Sequence, residues 1–136
     1  MNLMHFLPYD TRGGAETFAL DLIKQQLKNK KIKNIFLLTF QTNSYETPFS
    51  VEIDSTRFQH KNISYKPFFL NHLYVLFNLI YLIIKNNIHL VHSHLFAAIY
   101  CSFFVFFKKI KFVHTVHNQA SKELGAKKKS LYFLIR

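Results

Sequence analysis

The sequence predicts an α/β fold in which one domain forms a doubly wound parallel sheet. Short apolar runs alternate along the chain with segments whose apolar residues recur at helical spacing. Asn34 to Phe40 is a nearly continuous apolar run, which is typical of a strand buried on both faces of a parallel sheet. With right-handed crossovers, this alternation predicts the strand order 3-2-1-4-5.

The first half of the chain begins with a strand over Asn2 to Leu7, followed by a glycine turn and an amphipathic helix. The predicted core face of that helix follows the i, i+3, i+4, i+7 and i+8 spacing and consists of Ala15, Phe18, Ala19, Leu22 and Ile23. The second strand, Asn34 to Phe40, leads into a polar stretch from Gln41 to Lys61. This stretch predicts a long loop with a short hairpin around Val51 to Ile53.

The second half of the chain continues the alternation. Asn62 to Tyr65 predicts a third strand, Ile88 to Ser93 a fourth and Lys111 to His117 a fifth. Leu95 to Phe107 predicts a helix between the last two strands. Leu70 to Asn86 predicts a largely buried helix, whose predicted core face consists of Leu70, Leu73, Tyr74, Phe77, Tyr81 and Ile84.

Composition limits the classes of protein that remain. The chain has 136 residues, enough for one domain, and 49% of them are hydrophobic, so it is expected to fold. Its 18 basic and 7 acidic residues give a net charge of +11, which suits an anionic membrane surface or a nucleic acid. No recognisable nucleic-acid-binding module accompanies this charge, so nucleic acid is not an expected partner.

Targeting and redox features predict a cytoplasmic protein. The N-terminus lacks a basic segment before its short apolar run, and a single cysteine, Cys101, allows no internal disulfide. Phe68 to Ile84 and Leu95 to Phe107 lack charges but are shorter than the ~20 residues that a membrane span prefers. We therefore expect buried helices, with peripheral contact of the basic chain with the anionic inner face of the membrane.

A crevice is predicted where the strand order reverses, between the first and fourth strands. The turn with Gly13 and Gly14 borders this crevice, together with the residues just after Ser93. Glycines let the backbone turn sharply and let a ligand approach the N–H groups that open the helix, where anions are favoured. Glu16 would repel a phosphate, so sugar hydroxyls are an equal alternative, and a tight turn without a ligand stays open.

Histidines are concentrated on the fourth and fifth predicted strands. His94 and His117 would both emerge at the carboxyl edge of the sheet, where His117 can point into the crevice and donate to a phosphate or sugar oxygen. His92 and His94 share one strand face, which would suit zinc. The sequence has no C-x-x-C or H-E-x-x-H motif to support it, and no metal is expected.

Three motifs resemble the N-terminal domain of the family 4 glycosyltransferases. They are Gly13-Gly14-Ala15-Glu16 after the first strand, the run from His89 to His94 on the fourth, and Thr115-Val116-His117-Asn118 on the fifth. The resemblance covers essentially the whole chain. It implies a retaining enzyme of GT-B architecture, in which a Rossmann-like N-terminal domain mainly binds the acceptor and a second domain holds the nucleotide sugar.

The resemblance also implies roles for particular residues. His117 matches the family's histidine that contacts the transferred sugar and helps to stabilise the departing diphosphate, so it is the expected catalytic residue. Gly13 and Gly14 would lie near the donor phosphate and the acceptor, and Arg12 would add a cation there. The remaining expected binding residues are Glu16, His94 and Asn118.

The implied substrates are a nucleotide-sugar donor and a glycan or lipid-linked acceptor, with no cofactor, and polysaccharide biosynthesis is the family's common setting. Residues 1–136 are expected to form a single, incomplete domain, inactive unless a donor-binding half is supplied, for example by a separate chain. Two other functions stay open. One is a non-catalytic Rossmann-like binding module, and the other is a small membrane protein with two short spans.

Overall fold

The computed structural model describes residues 1–9, 13–41, 53–64, 69–102 and 110–117. Its strands are β1 Asn2–Tyr9, β2 Asn34–Gln41, β3 Phe58–Ser64, β4 Leu90–His94 and β5 Lys111–Thr115. Its helices are α1 Gly14–Leu27, α2 Phe69–Lys85 and α3 Ala98–Cys101, with a 3₁₀ turn at Leu95–Ala97. The strands form one parallel sheet in the order β3-β2-β1-β4-β5, which confirms the predicted fold class and strand order.

Both faces of the sheet are buried against helices. In β1 the side chains of Met4 and Phe6 lie on the face covered by α2 and α3, and those of Leu3 and Leu7 on the face covered by α1. This alternation follows from the two-residue period of a strand. The nearly continuous apolar runs of β1 and β2 therefore supply a core on each side, which explains why these strands are central.

α2 packs on the sheet through the face opposite to the predicted one. Val75, Leu79 and Ile83 are buried. The predicted core residues that are described lie on the exposed side: Leu73, Tyr74, Phe77, Tyr81 and Ile84. The prediction of this face was wrong because α2 is apolar around most of its circumference, so residue spacing alone does not select the side that meets the sheet.

α1 follows its prediction more closely. Ala19 and Ile23 are buried as expected, and Leu20 joins them. Phe18 is exposed, because its side chain projects past the edge of the sheet toward His117. The predicted core face was therefore right at its centre and wrong at one margin.

Several element boundaries differ from the predicted ones. β3 starts at Phe58 rather than Asn62, because Phe58 pairs with Ile35 of β2 and extends an edge strand whose other residues, apart from the buried Ile63, are polar. β4 extends to His94, and β5 ends at Thr115, two residues before His117. Ile53 lies outside any strand, and the rest of the predicted hairpin, 51–52, lies outside the described residues.

The segment predicted as a helix from Leu95 to Phe107 starts with the 3₁₀ turn and continues as α3, and residues 103–109 lie outside the described part. Cys101 in α3 is buried, and burial raises the pKa of its thiol to about 12. A buried thiol with a raised pKa stays protonated at neutral pH and is therefore a poor nucleophile. Within the described residues, no helix combines the length and apolar character needed to cross a membrane.

Candidate functional site

The N-terminus of α1 lies at the edge of the sheet where β1 and β4 are neighbours. Gly13 is the N-cap, with φ −124° and ψ 175°, and Gly14 opens the helix, so neither glycine is in the left-handed region. Position 13 leaves little room for a side chain. A Cβ there would overlap with Oε2 at the end of the buried Glu16 side chain, which would have to move, whereas a Cβ on Gly14 would have no atom of the described residues within 4 Å.

Glu16 therefore occupies a defined place in this turn. It is the third residue of α1 and folds back over Gly13, a position where a carboxylate stabilises the partial positive charge of a helix N-terminus. Gly14 is exposed and has open space where a side chain would be. Gly14, rather than Gly13, is the point at which a ligand can approach the backbone.

A chain of hydrogen-bonded side chains runs from α1 through the sheet to the end of β5. Gln26 Oε1 lies 2.7 Å from Nε2 of His5, and Nδ1 of His5 lies 3.0 Å from Nε2 of His94. Nδ1 of His94 in turn lies 3.0 Å from Nε2 of His117. We call these four residues the imidazole chain, and its members His5 and His94 are fully buried.

The histidine rings of the imidazole chain meet edge to edge. The centroids of His5 and His94 are 5.4 Å apart and those of His94 and His117 are 5.3 Å apart, with ring planes within 27° of each other. Two imidazole rings whose nitrogens are 3.0 Å apart have centroids this far apart only when each nitrogen points at the other ring's nitrogen. The contacting nitrogens of successive rings therefore face each other directly. The exposed ring of Phe18 packs edge-on against His117, with centroids 5.3 Å apart.

His92 forms a side wall of the imidazole chain. It pairs with His5 across the β1–β4 ladder and stacks on His94, with ring centroids 4.3 Å apart. Its Nε2 is 2.6 Å from Oγ1 of Thr115 on β5. Strand pairing thus brings three histidines from β1 and β4 to one face of the sheet.

Burial keeps this cluster uncharged. Loss of hydration lowers the pKa of His5 to about 3, that of His92 to about 4 and that of His94 to about 2. Repulsion between neighbouring imidazolium groups lowers them further, whereas the hydrogen bond to Gln26 partly offsets the effect at His5. At neutral pH each of the three rings therefore carries one proton and one lone pair.

Ligand nitrogens of His5, His92 and His94 lie within 4.8 Å of one another, a spacing that could hold a metal ion. The orientation of the rings is less suitable. Metal ligands direct their lone pairs at a common point, whereas His5 and His94 direct their nitrogens at each other. The observed arrangement is that of a hydrogen-bonded chain.

Leu95, the first residue after β4, has a left-handed backbone conformation with φ 52°. It follows His94 directly and begins the 3₁₀ turn, so the chain changes direction at the border of the crevice. A positive φ is a rare conformation for leucine, and such residues concentrate at functional sites. The sequence carries no signal for it.

The structure separates the histidines that lie on and beside β4 and β5. His92 and His94 share the α1 side of the sheet, and His117 joins them there. His114 bonds to Ser93 on the other side. His89 lies at the opposite end of β4, where its Nδ1 accepts a hydrogen bond from the backbone N–H of Asn2.

The predicted site residues fall into three groups. Gly13, Gly14 and Glu16 lie together at the start of α1. His117 lies at the end of β5, with His94 fully buried behind it rather than at the surface of the crevice. Arg12 and Asn118 lie outside the described residues.

Sequence reasoning missed His5, Gln26 and Phe18 as members of the site. His5 carried a signal, since it is the single histidine in an otherwise largely apolar strand.

A cavity of about 290 Å³ lies elsewhere, between the β2–β3 part of the sheet and α2, and is lined in part by Lys61 and Lys85.

The fold is that of a doubly wound α/β domain, and the α1 N-terminus lies at its β1–β4 switch point, the place where ligands of such sheets bind. The sequence model of Glycosyltransferase Family 4 matches residues 12–136, which include the α1 N-terminus and His117. The chain therefore belongs to this family of glycosyltransferases. Comparisons with curated proteins and with solved structures give no match.

Proposed function

We propose that this chain forms the acceptor-side half of a retaining glycosyltransferase, which transfers a sugar from a nucleotide sugar to a glycan or lipid-linked acceptor. One observation carries the proposal. The α1 N-terminus and His117 lie at the switch-point edge of the sheet, within the segment that matches the family. Ligands of doubly wound sheets bind at this edge.

The chemistry of the edge suits the transfer of a sugar from a diphosphate. The N–H groups at the start of α1 favour anionic oxygens, and the open space at Gly14 admits them. A departing nucleotide diphosphate gains charge in the transition state, so fixed donors at this edge would stabilise it. His117 would contact the transferred sugar, and Arg12, Glu16, His94 and Asn118 remain proposed contributors to binding or positioning.

We further propose that transfer requires a donor-binding half, in the same protein or on a separate chain. Among the described residues, those at the crevice edge, Gly13, Gly14, Phe18 and His117, include no cation to neutralise a diphosphate. Coulomb attraction from lysine or arginine is the usual means of holding such a group. The donor is a substrate, and the proposed reaction uses no cofactor.

The test is a titration of the full chain with uridine and guanosine diphosphate sugars, read by NMR at the His117 side chain. We expect shifts at His117 with at least one donor, no turnover by the chain alone, and turnover when a donor half is added. The His117→Ala variant should lose that turnover, whereas the control His89→Ala, at the far end of β4, should keep it.

Shifts at His117 without transfer in the presence of any donor half would favour a non-catalytic binding module. Shifts confined to residues far from Gly14 and His117 would contradict the proposed site.

A second proposal concerns peripheral contact with the anionic inner face of the membrane, where lipid-linked acceptors for polysaccharide assembly would be found. The exposed face of α2 carries an apolar and aromatic stripe, and Phe77 and Ile84 are 67% and 74% exposed. Lys61 and Lys85 flank it, with each Nζ within 6 Å of the ring centroid of Tyr81. Aromatic side chains beside lysines are typical of surfaces that bind anionic bilayers.

Co-sedimentation with vesicles tests this contact. We expect binding to phosphatidylglycerol vesicles, weak binding to phosphatidylcholine vesicles, and loss of binding in Phe77→Ser. Val113→Ser is the matched control, because Val113 is also exposed but lies on β5. Equal binding of both variants would place the contact elsewhere.

A further inference from the structure

The interior of the imidazole chain makes no direct contact with a substrate in the proposed transfer. His5 and His94 are fully buried and cannot touch a substrate at the crevice, and Gln26 lies at the far end, on α1. Yet three hydrogen bonds of 2.7, 3.0 and 3.0 Å connect them in series to His117. A buried polar series of this kind needs an explanation beyond packing.

The series has a direction, which its first member determines. Gln26 presents its carbonyl oxygen, which only accepts, so Nε2 of His5 carries the proton and donates. A neutral imidazole has one proton, so Nδ1 of His5 accepts and Nε2 of His94 must donate to it. The same reasoning makes Nδ1 of His94 the acceptor and Nε2 of His117 the donor.

We propose that Gln26 sets the tautomer of His117 through His5 and His94, so that the lone pair of neutral His117 resides on Nδ1. Gln26, His5 and His94 are then positioning residues, and together they determine which nitrogen of His117 carries the proton. The edge-to-edge rings support this, because proton positions are coupled only when successive nitrogens face each other.

The consequence for ligands rests on the proposed function. With its lone pair on Nδ1, neutral His117 could accept but not donate a hydrogen bond at that atom, so a ligand contact there would need a donor such as a sugar hydroxyl. An oxygen of the diphosphate, which is an acceptor, would not fit neutral His117 at Nδ1 and would require the protonated ring. The imidazole chain thus favours contact of His117 with the transferred sugar.

Long-range proton–nitrogen correlation NMR of the ¹⁵N-labelled full chain tests the proposal, because protonated and unprotonated imidazole nitrogens resonate far apart. In the unmodified protein, Nε2 should be the protonated nitrogen of His5, His94 and His117. In Gln26→Leu the acceptor is lost, and a buried Nε2–H of His5 would have no partner. All three protons should then move toward the other ring nitrogen, Nδ1, with each ring keeping one proton.

Two further variants complete the test. Gln26→Glu keeps an acceptor oxygen and should keep the unmodified pattern at His117. Gln25→Leu changes the adjacent but exposed residue of α1 and should also leave His117 unchanged. A purely structural role for Gln26 would alter His5 without moving the proton on His117, two hydrogen bonds further on.

The outcomes separate clearly. An unchanged His117 in folded Gln26→Leu would overturn the proposal, as would a proton on Nδ1 of His94 in the unmodified protein. Zinc found in the purified chain by elemental analysis, at one ion per molecule and lost in His92→Asn, would also overturn it in favour of a metal site. If Gln26→Leu does not fold, the unmodified and Gln26→Glu spectra still decide between these tautomers. The expected tautomers in a chain whose His117 responds to no nucleotide sugar would support the proposal while contradicting the proposed function.

Discussion

Leu95 has a backbone conformation that leucine rarely adopts. At φ 52° its Cβ crowds the following carbonyl oxygen, which costs about 1–2 kcal/mol. The residue directly follows His94, and it turns the chain out of β4 at the crevice edge. The strain is therefore located where the position of a buried histidine must be fixed.

This strain leads to a prediction about two variants of one residue. Leu95→Gly should be more stable to urea than Leu95→Ala by about 1 kcal/mol, because both lose the same side chain contacts but only alanine keeps the Cβ. Asn87, at φ 48°, is the matched control, and Asn87→Gly should likewise exceed Asn87→Ala. Higher stability of Leu95→Ala, the usual order at ordinary backbone angles, would contradict a strained Leu95.

The residue scale also shows how far the sequence could identify the site. The positions of the glycine turn and His117 were predictable, because the turn directly precedes α1 and His117 follows the end of β5 by two residues. The contact of His5 with His94 was not, since it joins residues 89 positions apart. It depends on the pairing of β1 with β4, in which His5 is the partner of His92.

At the scale of elements, α2 shows the limit of periodicity as a guide. Its buried and exposed faces are both apolar, and only the contact with the sheet distinguishes them.

Leu79→Ala should lower the free energy of unfolding by about 2–5 kcal/mol, because it opens a cavity in the core. Phe77→Ala, on the exposed face, should change it by no more than about 0.5 kcal/mol. Urea unfolding of both variants checks this, and a loss in Phe77→Ala as large as that in Leu79→Ala would contradict the observed burial of α2.

The start of α1 gives a second prediction at this scale. Gly13→Ala should destabilise the chain, because the new Cβ would displace the buried carboxylate of Glu16. Gly14→Ala should raise stability by about 0.4–1 kcal/mol, because Gly14 is already helical and has room for a methyl group. Thermal unfolding measures both effects. In a Glu16→Ala background the cost of Gly13→Ala should disappear, and persistence of that cost would show that another contact requires the glycine.

At the scale of the whole molecule, the buried histidines make stability depend on pH. In the unfolded chain His5, His92 and His94 titrate near 6.5, whereas in the folded chain their pKa values are lowered to about 3, 4 and 2. For each histidine, the unfolded state therefore binds more protons than the folded state at pH values between its folded pKa and about 6.5. The free energy of unfolding accordingly falls as the pH decreases below about 6.5. Each histidine contributes up to about 1.4 kcal/mol per pH unit.

Urea unfolding from pH 6.5 down to about pH 5 measures this slope. His92→Asn should reduce the slope of the free energy of unfolding by up to about 1.4 kcal/mol per pH unit, because it removes one of the three buried titrating groups. The control is His89→Asn, which removes an exposed histidine outside the buried cluster. The same slope in both variants would mean that other groups cause the acid sensitivity.

The doubly wound sheet, its strand order, and the positions of the glycine turn and His117 at one edge of the sheet could all be predicted from the amino-acid sequence. These follow from local periodicity, from the handedness of crossovers and from the polarity of parallel strands, all of which act over short stretches of chain. The tertiary structure alone decided which face of α2 is buried and that Gln26, His5 and His94 stand behind His117. The physical reason is that both depend on the register and packing of elements distant in sequence, where one residue's partner is set by the position of all the others.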